Sequence, residues 1–126
     1  MRLINLQIQQ TKNKGRGVFT TAAISVNQII EICPVILIPK AELVFLDETY
    51  LYNYYFLWNE NKDAAIALGY GSLYNHSEKP NATFLIQNET NSIIIKSIST
   101  VKIGEEITID YVAGGGKLWW NNQSET

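Results

Sequence analysis

The only histidine of this 126-residue chain, His76, stands in the stretch NHSEKPN (75–81). Asn75 and His76 carry hydrogen-bond donors and acceptors on short stems, which suits them to reading the edge of a planar heterocycle. Pro80 restricts the backbone behind them and Ser77 can close a local turn, so the same stretch also reads as an Asx-type turn with a partly exposed histidine. A second group is KGRGVF (14–19), where Gly15 and Gly17 let a backbone pass close to a ligand with no Cβ in the way. The third is GEEITIDY (104–111), an acidic turn before a strand that ends in Asp110 and Tyr111. From these residues alone a strand with solvated glutamates and a core tyrosine is the stronger reading, but Tyr111 precedes a glycine-rich segment, so its hydroxyl can sit at the mouth of a pocket.

Several other chemistries are excluded or weakened. The third glycine of a dinucleotide fingerprint would fall on Thr20, and the first glycine of a P-loop ending at GGGKL would fall on Tyr111. One cysteine and one histidine make no zinc cluster. A Cys33–His76 nucleophile pair is formally available, but Cys33 lies in the apolar run IIEICPVILI, where a buried inert thiol is expected. The N-x-S/T pattern at Asn75 recurs at Asn81, Asn88 and Asn122, as chance allows in an Asn-rich chain.

The elements that must hold these residues are mostly strands. IIEICPVILI (29–38), followed by Pro39, reads as a buried strand, and the aromatic LYNYYFLW (51–58) as another, with turn chemistry in NENKD after it. AAIALGYGSLY (64–74) continues apolar, with Gly69 and Gly71 weakening any helix. TFLIQ and SIIIKSI flank NETN (88–91) as a hairpin, and VKIGEEITIDY (101–111) turns at Gly104 and then points Ile107 and Ile109 inward. A short helix is expected over 40–47, KAELVFLD. With 46% hydrophobic and 17% charged residues the chain can bury one ordinary core, and it reads as a mainly β single domain over 1–126. A net charge of −2 offers no basic footprint for direct nucleic-acid binding. The absence of a membrane-length apolar run, of a signal-peptide pattern at the N-terminus and of a second cysteine point to an intracellular protein with no membrane partner.

In their order and separation, the glycine pair, N-H-S-x-x-P-N and G-E-E-I-T-I-D-Y resemble the SET-domain family of protein-lysine methyltransferases. The resemblance spans residues 14–111, and the chain is similar to the minimal stand-alone form of bacteria and large viruses. It implies a fold of several small curved sheets with a C-terminal pseudoknot, in which the N-H-S segment meets the Tyr111 segment. It also implies S-adenosylmethionine as cofactor, with Asn75 and His76 at the adenine end, Lys14, Arg16 and Gly17 at the methionine end, and Tyr111 touching both cofactor and reaction. Tyr111 is then the catalytic residue. Tyr70, Tyr74, Phe84 and Ile109 become candidate walls of a lysine channel, with core packing expected for at least one of the aromatic residues. Trp119 and Trp120, in the 112–126 tail, become its lid. Phe84 and Ile109 carry no hydroxyl to hold a blocking water, so a di- or trimethylated product is expected. The implied partner is a lysine-bearing protein, such as a basic histone-like tail, with a homodimer as a further expectation. Two rival readings stand beside it: a catalytically silent SET fold that binds a peptide, and a small β-barrel or jelly-roll binding protein with no cofactor.

Overall fold

The structure, a computed structural model, describes residues 1–111. Trp119 and Trp120 therefore lie outside the described residues. Thr11 starts the first turn: its hydroxyl donates to the Gly15 carbonyl at 2.7 Å and accepts from the Lys14 N–H at 2.8 Å. Gly15 takes the left-handed φ of +71° that closes the loop. This turn pairs β1 (Leu6–Gln10) antiparallel with β2 (Arg16–Thr20).

The longest strand, β3 (Ile29–Ile38), serves two partners. Its first half, to Pro34, pairs with β8 (Ser92–Ser97), and its second half, from Val35, pairs with β5 (Ala64–Ala67). Pro34 has no N–H to donate and stands where the strand changes partner. Ile30 is an extra residue in the ladder, because Ile29 opposes Lys96 whereas Glu31 opposes Ile95. This bulge turns two successive side chains, Ile30 and Glu31, into the interior. The far end of β3 is covered less well than its Ile-rich composition suggests: Ile36 is 53% exposed.

β7 (Ala82–Gln87) and β8 form the expected hairpin across Asn88–Asn91, where Asn91 adopts a left-handed φ of 48°. Alternation sends Phe84, Ile93 and Ile95 into the core. Gly104, at φ +85°, makes the turn before β9 (Glu106–Ile109), and both Ile107 and Ile109 are fully buried. β9 lies centrally, antiparallel to β2 and parallel to β7 and to β6 (Asn75–His76). The full path is β1-β2-β9-β7-β8-β3-β5-β4, the last being Phe56–Leu57, with β6 beside β9, so small sheets share β9 and β3. The expected helix is present as a 3-10 turn at Lys40–Glu42 followed by α1 (Leu43–Leu46).

Two expected strands are shorter than the sequence suggests. In 51–58 only Phe56–Leu57 pair, as β4, and Tyr50–Asn53 form a 3-10 turn. Thr49 sets this turn by accepting from the Leu51 N–H, and Tyr50 is left 88% exposed with no ladder to join. In 64–74 the strand ends at Ala67, because Gly69 takes φ +64° and Gly71–Leu73 coil into a further 3-10 turn.

Asn81 holds β9 in place with its side chain. Its Nδ2 donates to the Glu106 carbonyl at 2.8 Å, and its Oδ1 accepts from the Thr108 N–H at 2.9 Å. Asn81→Ala should leave both backbone groups unpartnered and lower the unfolding free energy by roughly 2–6 kcal/mol, at one to three per orphaned group. Urea unfolding measures it; a loss below about 0.5 kcal/mol, the size of an ordinary surface change, would remove Asn81 from this role.

Candidate functional site

The β6–β9 pairing brings the distant motifs together. Asn75 lies opposite Thr108 and His76 opposite Ile109, and the Ser77 N–H donates to the Ile109 carbonyl at 2.9 Å. The glycine segment joins them from β2. Asn75 Nδ2 donates to the Arg16 carbonyl at 3.0 Å and to Glu106 Oε2 at 2.7 Å, while Lys14 Nζ donates to the His76 carbonyl at 3.0 Å. A Cβ on Gly17 would collide with the Glu106 carboxylate and stand 2.8 Å from Asn75 Nδ2. A side chain at Gly17 would have to displace these two groups.

Tyr111 follows β9 and is held at both ends. Its backbone N–H donates to His76 Nδ1 at 3.2 Å, and its hydroxyl donates to the Tyr74 carbonyl at 2.6 Å. Because Nδ1 accepts, a neutral His76 carries its proton on Nε2. The two rings stack at 5.4 Å and 29°, and Asp110 Oδ1 lies 3.8 Å from the same nitrogen. Phe56 meets the Tyr111 ring edge-on at 5.7 Å and packs on Phe84 at 5.0 Å. Burial, helped by the neighbouring Tyr54 and Glu106, pushes the Tyr111 hydroxyl well above the usual tyrosine range. It is a neutral hydroxyl at physiological pH.

These groups surround a cavity of about 460 Å³, within the range of small-molecule sites. Lys14, Arg16, Asn75, His76 and Tyr111 all line it. The remaining wall comes from Asn53, Tyr54, Ser72 and Leu73, none of which the sequence singled out. The aromatic density of 51–58 was the available signal for Tyr54, and the strand reading of that run obscured it.

The expected channel residues lie elsewhere. Tyr70 sits beneath the Arg2 guanidinium, 3.8 Å from its ring centre. Tyr74 is fully buried and its hydroxyl donates to Glu31 Oε1 at 2.7 Å. Phe84 and Ile109 are fully buried in the core. None of the four lines the cavity. Cys33 is buried too. Desolvation, then the charge of Glu31, raises its thiol far above the ordinary range, which leaves no thiolate for nucleophilic chemistry. Among the described residues no group of three His, Cys, Asp or Glu could hold a metal ion, and no helix is long and apolar enough to cross a membrane.

Comparison with known proteins agrees with this geometry. Residues 15–112 match the SET domain. The chain is 35% identical over 122 residues to a Schizosaccharomyces pombe histone-lysine N-methyltransferase specific for H3 lysine-37, covering 96% of this chain and 80% of that protein. Its fold matches the crystal structure of a candidate histone methyltransferase from Plasmodium falciparum with a TM-score of 0.72 at 32% identity, over 92% of this chain and 96% of that one. With three motifs of the family gathered on one cavity and the family's fold around them, the chain belongs to the SET-domain family of protein-lysine methyltransferases.

Proposed function

We propose that the methyl donor is S-adenosylmethionine and that the acceptor is a lysine in a basic, histone-like tail. The observation that carries the donor is the convergence of Lys14, Arg16, Asn75, His76 and Tyr111 on one cavity, beside a Gly17 that lies against the Asn75 and Glu106 side chains. Asn75 and His76 supply the mixed donors and acceptors that a heterocycle's edge requires. Lys14 and Arg16 supply positive charge suited to the carboxylate of an amino-acid moiety. When bound, the cofactor supplies a methyl group on a positively charged sulfur, open to direct displacement.

The chain's own residues then have two tasks. The first is to receive a neutral amine: a free lysine has a pKa of about 10.4, so at pH 7 only about one in a few thousand is uncharged. Tyr54, Leu73 and Tyr111 give the cavity wall apolar surface, which disfavours the ammonium form. The second is alignment. The Tyr111 proton is committed to the Tyr74 carbonyl, and its oxygen keeps the capacity to accept from an amine N–H. Held neutral, Tyr111 orients the nucleophile and takes no proton from it.

The acceptor class follows from likeness to the fission-yeast enzyme, whose name specifies a lysine of histone H3. A silent peptide-binding SET fold remains the rival reading, and the complete set of Asn75, His76 and Tyr111 favours the enzyme. Incubation with labelled S-adenosylmethionine and core histones, followed by peptide mapping, tests donor and acceptor together: label on a histone lysine is expected, and cofactor binding without transfer to any protein would favour the silent fold.

Three outcomes are expected. Tyr111→Phe should keep the packing yet lower turnover by about a hundredfold or more, near 2.7 kcal/mol of barrier, with cofactor affinity little changed. Near-normal turnover would end the alignment mechanism. His76→Ala should weaken cofactor binding in calorimetry by more than about 1 kcal/mol, the scale of a buried hydrogen bond, and unchanged affinity would take His76 out of the site. Activity should rise with pH as the acceptor amine loses its proton. Because Tyr111 titrates above the usual range, no falling limb should appear below about pH 10, and one that vanishes in Tyr111→Phe would contradict the neutral hydroxyl.

A further inference from the structure

Glu31 takes no part in the chemistry above, yet it is a carboxylate only 2% exposed. Burying such a group is costly unless donors surround it. They do. The Tyr74 hydroxyl donates to Oε1 at 2.7 Å, the Tyr70 backbone N–H donates to Oε2 at 3.1 Å, and Arg2 Nη1 lies 3.6 Å from the same oxygen. The surroundings are shaped for it as well. The bulge at Ile30 accompanies its turn inward, and a Cβ on Gly69, at φ +64°, would strike its Oε2.

Tyr70 and Tyr74 bracket the 3-10 turn Gly71–Leu73, so one carboxylate on β3 ties both ends of that turn. The turn leads straight into the site. Ser72 and Leu73 line the cavity, the Tyr74 carbonyl accepts the Tyr111 hydroxyl at 2.6 Å, and Asn75 and His76 follow. We propose that Glu31 is a positioning residue for methyl transfer: through Tyr74 it fixes the carbonyl that sets the direction of the Tyr111 hydroxyl. This rests on Tyr111 as the aligning group. A carboxylate keeps all three groups donating as they stand, the Tyr74 hydroxyl, the Tyr70 N–H and Arg2. A glutamine offers one acceptor oxygen: turned to the Tyr70 N–H and Arg2 it makes the Tyr74 oxygen an acceptor and reverses that bond, and turned to Tyr74 it sets its amide N–H groups against the Tyr70 N–H and Arg2.

The test compares Glu31→Gln, Tyr74→Phe, Tyr111→Phe and the Tyr74→Phe/Tyr111→Phe double variant in the full chain, with core histones and labelled S-adenosylmethionine. Glu31→Gln and Tyr74→Phe should each lower kcat by about tenfold, while the histone KM and the cofactor Kd move by less than about threefold. In the Tyr111→Phe background, Tyr74→Phe should cost less than about twofold more, because no hydroxyl is left to orient. A general loss of structure would lower binding as well and would add to the Tyr111→Phe defect. If Glu31→Gln does not fold, Tyr74→Phe, which keeps the ring, decides alone. Normal kcat in Tyr74→Phe, or a full additional loss in the double variant, overturns the role of Glu31 while leaving Tyr111 in place. An inactive wild type or a fully active Tyr111→Phe overturns the functional reading and this inference with it.

Discussion

The parallel pairing of Asn75–His76 with Thr108–Ile109 is the contact on which the rest of the site depends. Parallel neighbours cannot be joined by a tight turn, so the chain must leave β6, build the β7–β8 hairpin and return before the pair can form. Closing that loop costs conformational entropy, which the short ladder alone does not recover. The recovery comes from burial: Ile107 and Ile109 enter the core with Val18, Phe84 and Ile95, each side chain contributing on the order of 1.5–3 kcal/mol. Asn81 completes the seam by supplying a donor and an acceptor to β9 where no strand partner does.

Once β9 is seated, the residues around it have little freedom. The stacked ring of His76, the edge of Phe56 and the Tyr74 carbonyl confine Tyr111. The same enclosure that orients the hydroxyl also desolvates it and keeps it protonated. A displacement at a lysine amine asks for alignment and an apolar wall more than for a strong base. That is why a chain whose sole cysteine is inert and whose sole histidine accepts from a backbone N–H can still carry the reaction.

Behind Tyr111 the polar groups form a connected series: Arg2 and Glu31, Glu31 and Tyr74, then the Tyr74 carbonyl and Tyr111. In a low-dielectric interior such connected bonds reinforce one another, and each is costly to leave half made. The series also explains why the expected channel aromatics are absent from the cavity. Tyr74 spends its hydroxyl on Glu31, and Tyr70 lends its ring to Arg2 and its N–H to the same carboxylate.

Local pattern was enough to identify β3, the β7–β8 hairpin, the turn at Gly104 and the short helix, because alternation, turn residues and helix length act over a few neighbouring positions. The order of the three motifs was enough to identify the family and five of the cavity's residues, since Lys14, Arg16, Asn75, His76 and Tyr111 belong to those motifs. Side-chain direction was not legible in the same way. The aromatic run 51–58 has strand composition, but Thr49 coils its start and delivers Tyr54 to the cavity. Phe84 and Ile109 are apolar residues on strands, and only their neighbours decide that they face the core. Glu31 lies in an isoleucine-rich strand whose own pattern gives it no role; its value comes from Arg2, Tyr70 and Tyr74, which are remote in sequence and adjacent in the fold. Composition and spacing report what a residue can do, whereas burial and hydrogen-bond partners, set by long-range packing, select which of those things it does.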